Sequence, residues 1–217
     1  MGSGGVHAGG KRTTGAGPPG PLILAVTRPD RRRERGQFTH RQIVAAMVAL
    51  VGESGTEPSA DRLAERAGVT RRTLYNRFDG LDAIVVEAVT TVLTHPLHPY
   101  PTLPPRGPKH LRIRYFAHQL RAFYEETAPF QHLALVRAGH DDAMARLLAM
   151  EHRRNRQSLA RSFTTELRHL GGNASPTVWE LERATSWTSW ANLTRIDGLP
   201  AGAAEGLMRD FINRLLQ

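Results

Sequence analysis

From Phe38 onward the apolar residues return every three or four positions, the interval of one helix face, and no stretch alternates like a half-buried strand. Ile43, Met47 and Leu50 form the first stripe, and Gly52 and Gly55 end it. Pro58 and Ser59 open a second, short helix: Ser59 is a suitable N-cap, and Leu63 and Ala67 share one face. Gly68 breaks the chain, and Thr70 caps a third helix predicted over 70–78. Asp79 and Gly80 turn it, and Leu81, Ile84, Val85 and Ala88 begin a fourth helix that runs to about residue 94. Six prolines (96, 99, 101, 104, 105 and 108) mark 95–108 as a connector. Beyond it the spacing predicts helices over 109–126, 130–138, 141–170, 176–196 and 201–216. Gly171 and Gly172 end the third of these, and no internal repeat is visible. The expected class is all-α.

The first 36 residues lack this pattern. They are rich in Gly and Pro and end in Arg31-Arg32-Arg33-Glu34-Arg35, so 1–36 reads as a disordered basic arm. Three further units follow: 37–94, the connector 95–108, and 109–217. Gly5, Gly10 and Lys11 have P-loop spacing, but Arg12 stands where a magnesium-binding hydroxyl belongs and no strand precedes them. The 217 residues include no Cys, which excludes disulfides, thiolate zinc sites and a cysteine nucleophile. The apolar stretch 22–26 is too short for a membrane span or a signal-peptide core. A soluble, cytoplasmic chain with no membrane partner is expected.

Charge changes the picture only once it is located. The net +9 and a pI near 11.0 suggest a polyanionic partner. Residues 1–37 carry +5, residues 38–90 carry −1, and residues 91–217 carry +5.

Two short helices joined by a glycine-containing turn make a helix-turn-helix, in which one helix enters the major groove and its neighbour braces it. The second helix carries Thr70, Arg71, Arg72, Thr73, Tyr75 and Asn76, side chains that reach phosphates and base edges. The segment Leu63-Ala64-Glu65-Arg66-Ala67-Gly68-Val69-Thr70-Arg71-Arg72-Thr73-Leu74-Tyr75-Asn76-Arg77-Phe78 strongly resembles the DNA-binding domain of TetR/AcrR-type regulators. Their pattern runs Ile-Ala-x-x-Ala-Gly-Val-Ser-x-x-Thr-Leu-Tyr-x-x-Phe, and the resemblance spans about 42–89. It implies a three-helix DNA-binding domain at 37–94 and a helical ligand-binding and dimerisation domain at 109–217. It also implies phosphate contact by Tyr75 and a bacterial protein that sits on the nucleoid when bound to DNA. Arg71 and Arg72 are candidates for guanine or phosphate, and Ser59 for one phosphate. Leu63, Ala67, Val69, Leu74 and Phe78 are expected in the core. Two positions depart from the family: Leu81 replaces a frequent Lys, and Ser54-Gly55-Thr56 lacks the usual Gly-aromatic pair. Because the motif itself is not basic, Arg31, Arg32, Arg33 and Arg35 are expected to supply attraction to DNA.

In the C-terminal unit, His152 and Asn155 interrupt the apolar face Met144, Leu148, Leu159, Phe163, Leu167 and Leu170. Tyr115 and His118 do the same on the preceding helix. These four are candidate contacts for a small-molecule effector. Trp179, Trp187 and Trp190 lie within one arc of a helix that also carries Arg183 and Ser186. The resemblance implies a homodimer through the last two helices, with these Trp and Leu207, Phe211 and Leu215 at its interface. The ten His give one close pair, His95 and His98, with no carboxylate nearby, so no metal or other cofactor is expected. No hydrolase, metalloprotease or complete nucleotide-binding motif occurs, and no catalytic residue is assigned. The expected function is a dimeric repressor released from a palindromic operator by a small molecule. The alternatives are an activator or a helix-turn-helix that serves protein contacts alone.

Overall fold

A computed structural model describes residues 1–2, 31–95, 101, 103 and 106–217, with the backbone alone for 31–33. Among the described residues ten α-helices follow in order: α1 Arg31–Ser54, α2 Ala60–Ala67, α3 Arg71–Arg77, α4 Gly80–Leu93, α5 Lys109–Arg137, α6 Asp142–Ser162, α7 Thr164–His169, α8 Ala174–Ala184, α9 Trp187–Ala191 and α10 Ala201–Leu215. Short 3-10 and π turns precede α8 and follow α9. There is no strand among the described residues, and no helix among them is long and apolar enough to cross a membrane.

Two apolar cores organise these helices. The first joins Ile43, Met47 and Leu50 of α1 to Leu63, Leu74, Ile84 and Val85, and continues into Phe130, Leu133, Met144 and Leu147. The second joins Phe116, Leu120 and Tyr124 of α5 to Leu159, Phe163, Leu181, Trp187, Trp190, Met208 and Ile212. The division therefore falls within α5 and α6 rather than at the proline-rich connector. One end of each of these helices completes the core of the N-terminal unit.

Four expected boundaries change. Helix α5 runs unbroken through Pro129, where two helices were expected. Proline inside a helix costs about 3 kcal/mol because it removes a donor and crowds the carbonyl four residues back. Here that carbonyl belongs to exposed Glu125, and buried Tyr124, Thr127 and Phe130 hold the helix on either side. Helix α6 stops at Ser162, because Phe163 (φ −118°, ψ 26°) leaves helical geometry and buries its ring against Phe116. The 176–196 helix divides at Thr185 and Ser186. There Ser186 starts a new helix by accepting from the Ser189 amide at 3.3 Å, a local competition open to hydroxyl side chains. Lastly, α1 begins at Arg31, so the run 31–35 is helical rather than part of a disordered arm. Residues 3–30 lie outside the described residues, as does His98.

Candidate nucleic-acid interface and effector cavity

The helix-turn-helix is built by caps and one turn. Ser59 accepts from the Arg62 amide at 3.3 Å and starts α2. Gly68 ends it at φ 64°, a left-handed conformation that costs glycine nothing. Thr70 accepts from the Thr73 amide and starts α3, and the two hydroxyls also lie 2.9 Å apart. Leu74 and Phe78 are buried beneath α3, with His40 of α1 stacked on the Phe78 ring at 4.3 Å. His40 in turn bonds Glu87 of α4 at 2.7 Å, which ties α1, α3 and α4 together. This anchoring turns Arg71, Arg72, Tyr75 and Asn76 outward, all exposed, with Thr73 half-buried and Val69 half-buried at the turn. Arg71 lies 3.5 Å from Asp61, an exposed pair weak enough to be exchanged for a phosphate.

The start of α1 approaches α3 closely. Gly36 is buried under the Arg77 guanidinium, and a Cβ there would come within 2.7 Å of Nη1. The helical run Arg31, Arg32, Arg33 and Arg35 thus begins within two turns of a point touching the C-terminal end of α3. The side chains of 31–33 are not among the described ones.

The four residues expected to hold an effector separate into two places. Tyr115 and His118 line an open groove of about 440 Å³ with Leu111 and Arg114 of α5 and Glu205 of α10, where both are exposed. His152 and Asn155 instead share a cavity between α5, α6 and the start of α9. Gln131, Glu151, Asn155 and Trp187 give it a polar floor, and Leu135, Leu148 and Thr188 edge its mouth. Its open interior is about 20 Å³. Asn155 Nδ2 donates to Thr185 Oγ1 at 3.3 Å, and His152 Nδ1 pairs with buried Glu182 at 2.6 Å. Gln131 and Glu151 escaped the sequence reading. Their signal was a polar residue on a buried stripe, since Glu151 continues the row Met144, Leu147 and Asn155.

Two connections lead away from this cavity. Arg137, at the end of the helix that carries Gln131 and Leu135, is buried and donates to Glu57 before α2, at 2.7 Å, and to Asp82 of α4. Burial opposes its charge, but the Asp82 hydrogen bond and the charges of Glu57, Asp82 and Asp141 hold its pKa above the ordinary arginine value. Arg154 adds a bond to the Leu93 carbonyl at the end of α4. On the other side, Arg156 lies 3.6 Å from Glu182 and stacks over the Trp179 ring at 3.9 Å.

Trp179 is 52 % exposed and lines an open groove of about 620 Å³ with Arg183, Leu193 and Phe211. Phe211 and Leu207 are exposed beside it on α10. Trp187 and Trp190, expected at the same interface, are only 6 % and 3 % exposed. They pack on Tyr124 within the chain, with ring centroids 5.6 and 6.1 Å apart. The break at Thr185 rotates them off the Trp179 face. Leu215 is half-buried against the same core. Ile196, 78 % exposed in the π turn, is an apolar surface residue the periodicity did not single out.

No family profile matches the sequence, and no curated protein matches it. Solved structures do match. A transcriptional regulator from Rhodococcus sp. Rha1 superposes with a TM-score of 0.65 at 20% identity, covering 82% of this chain and 96% of that one. A candidate TetR-family transcriptional regulator from Mesorhizobium loti gives 0.59 at 18% identity, covering 84% and 96%. A candidate regulator from Streptomyces coelicolor gives 0.53 at 19% identity, covering 80% and 98%. The chain therefore has the fold of these regulators across both units.

Proposed function

We propose that this chain is a dimeric, sequence-specific DNA-binding repressor that a small molecule releases from a two-fold symmetric operator. One observation carries the DNA-binding part: α3 is capped and pinned by Leu74 and Phe78 so that Arg71, Arg72, Tyr75 and Asn76 face outward together. The helical run 31–35 supplies charge that the motif lacks. Release follows from the position of Arg137. A ligand that displaces α5 at Gln131 and Leu135 moves the guanidinium that holds Glu57 and Asp82 on either side of the helix-turn-helix.

Fluorescence anisotropy with the DNA upstream of the chain's own gene tests this reading. Arg72→Ala is expected to weaken binding by about 5- to 150-fold, the equivalent of one lost bidentate contact of about 1–3 kcal/mol. Replacing Arg31, Arg32, Arg33 and Arg35 by Gln flattens the salt dependence, by up to about 0.9 in log–log slope per lost phosphate contact. An unchanged affinity for both variants leaves the motif without a DNA role.

The dimer is proposed to form over Trp179, Leu207 and Phe211, where α8 and α10 leave apolar side chains uncovered. Phe211→Glu places a charge in that patch and should convert the dimer to a monomer in light scattering. A variant that remains dimeric at micromolar concentration moves the interface elsewhere.

A further inference from the structure

Among the described residues six buried side-chain atoms lack a hydrogen-bond partner, and four of them belong to residues lining the α5–α6–α9 cavity. They are Gln131 Nε2, Glu151 Oε2, Asn155 Oδ1 and Trp187 Nε1, on side chains each more than nine-tenths buried. Two are donors and two are acceptors. The orientation of Asn155 follows from its neighbour: Thr185 Oγ1 gives its proton to the Leu181 carbonyl at 2.8 Å and so accepts from Asn155 Nδ2. That leaves Asn155 Oδ1 as the acceptor. The other Glu151 oxygen accepts from Arg154 Nη1 at 2.8 Å, leaving Oε2 unmatched.

We propose that this cavity binds a small primary amine with a hydroxyl or carbonyl oxygen on the second or third carbon from its nitrogen. The ammonium donates to Glu151 and Asn155, and the oxygen accepts from Gln131 and Trp187. The open interior, about 20 Å³, takes such a head group alone, while Leu135 and Leu148 at the mouth suit a short hydrocarbon chain. A single water also offers two donors and two acceptors, but it brings no positive charge to Glu151 Oε2, the oxygen that Arg154 leaves unpartnered. Burial pushes the Glu151 carboxyl above its ordinary range against the pull of Arg154 and His152. A cation beside Oε2 lowers it again, so binding and ionisation reinforce each other. This inference rests on reading the cavity as the effector site.

The test uses the full chain without DNA, so its failure is separable from failure of the repressor reading. 2-Aminoethanol, propylamine, 1,2-ethanediol and glycolate are titrated by calorimetry in phosphate buffer near neutral pH. The expected result is binding of 2-aminoethanol at least about tenfold tighter than of the diol or glycolate, with propylamine between them. Glu151→Gln removes the preference for the amines over the diol. Gln131→Leu weakens 2-aminoethanol and leaves propylamine unchanged, and circular dichroism confirms that each variant folds. No binding of 2-aminoethanol, equal binding of all four compounds, or a preference that survives both substitutions overturns the proposal and leaves the cavity to water.

Discussion

Arg112→Met is expected to lower the free energy of unfolding by about 3–5 kcal/mol, the usual cost of stranding one member of a buried ion pair. Arg112 sits in the first turn of α5, and its side chain and that of Glu166 are about nine-tenths buried together. Its guanidinium donates to the Glu166 carboxylate, to the Ser162 carbonyl at 2.7 Å and to the Gly107 carbonyl at 3.2 Å, and it stands over the Phe163 ring. These bonds fasten the connector and the start of α5 to the break between α6 and α7. Removing the cation leaves Glu166 with neither oxygen partnered, since Oε2 already lacks one. The double variant Arg112→Met, Glu166→Leu removes both charges and should recover most of the loss. Urea unfolding of the wild type, both single variants and the double variant measures the coupling. A double variant no more stable than Arg112→Met would mean that the carbonyl bonds, not the charge pair, hold this junction.

Phe116→Ala should cost a similar amount, about 3–5 kcal/mol, by leaving a cavity in the second core. Phe116 is fully buried one helix turn before Leu120 and packs on Phe163 with ring centroids 5.5 Å apart. For a chain of this length the change lowers the midpoint of thermal unfolding by roughly 10 °C. The emission of Trp187 and Trp190 reports this directly, because both side chains lie in the same core. A loss below about 1 kcal/mol would mean that the core collapses to fill the space.

Much of the DNA-facing site is legible in the sequence. The caps Ser59 and Thr70, the turn at Gly68 and the alternation of Leu74 and Phe78 with polar residues all act within about four positions. Local propensity and side-chain chemistry decide them. The effector region is less legible. Asn155 and His152 stood out as polar residues on an apolar stripe. Gln131 and Trp187, which line the cavity with them, come from two other helices, and no spacing along the chain relates 131 to 187. Tyr115 and His118 had the same local signal, yet both point outward, because one helix face says nothing about which neighbour covers it.

The chain by itself determined the helical class, the helix-turn-helix and the outward set Arg71, Arg72, Tyr75 and Asn76, since hydrogen bonds within one or two turns control these features. Tertiary structure decided what depends on packing between distant segments. It carried α5 through Pro129, and buried Trp187 and Trp190 while leaving Trp179 at the surface. Burying apolar area against two cores outweighs a local helix preference of a few kcal/mol or less. A residue's face is set by what the rest of the chain brings against it.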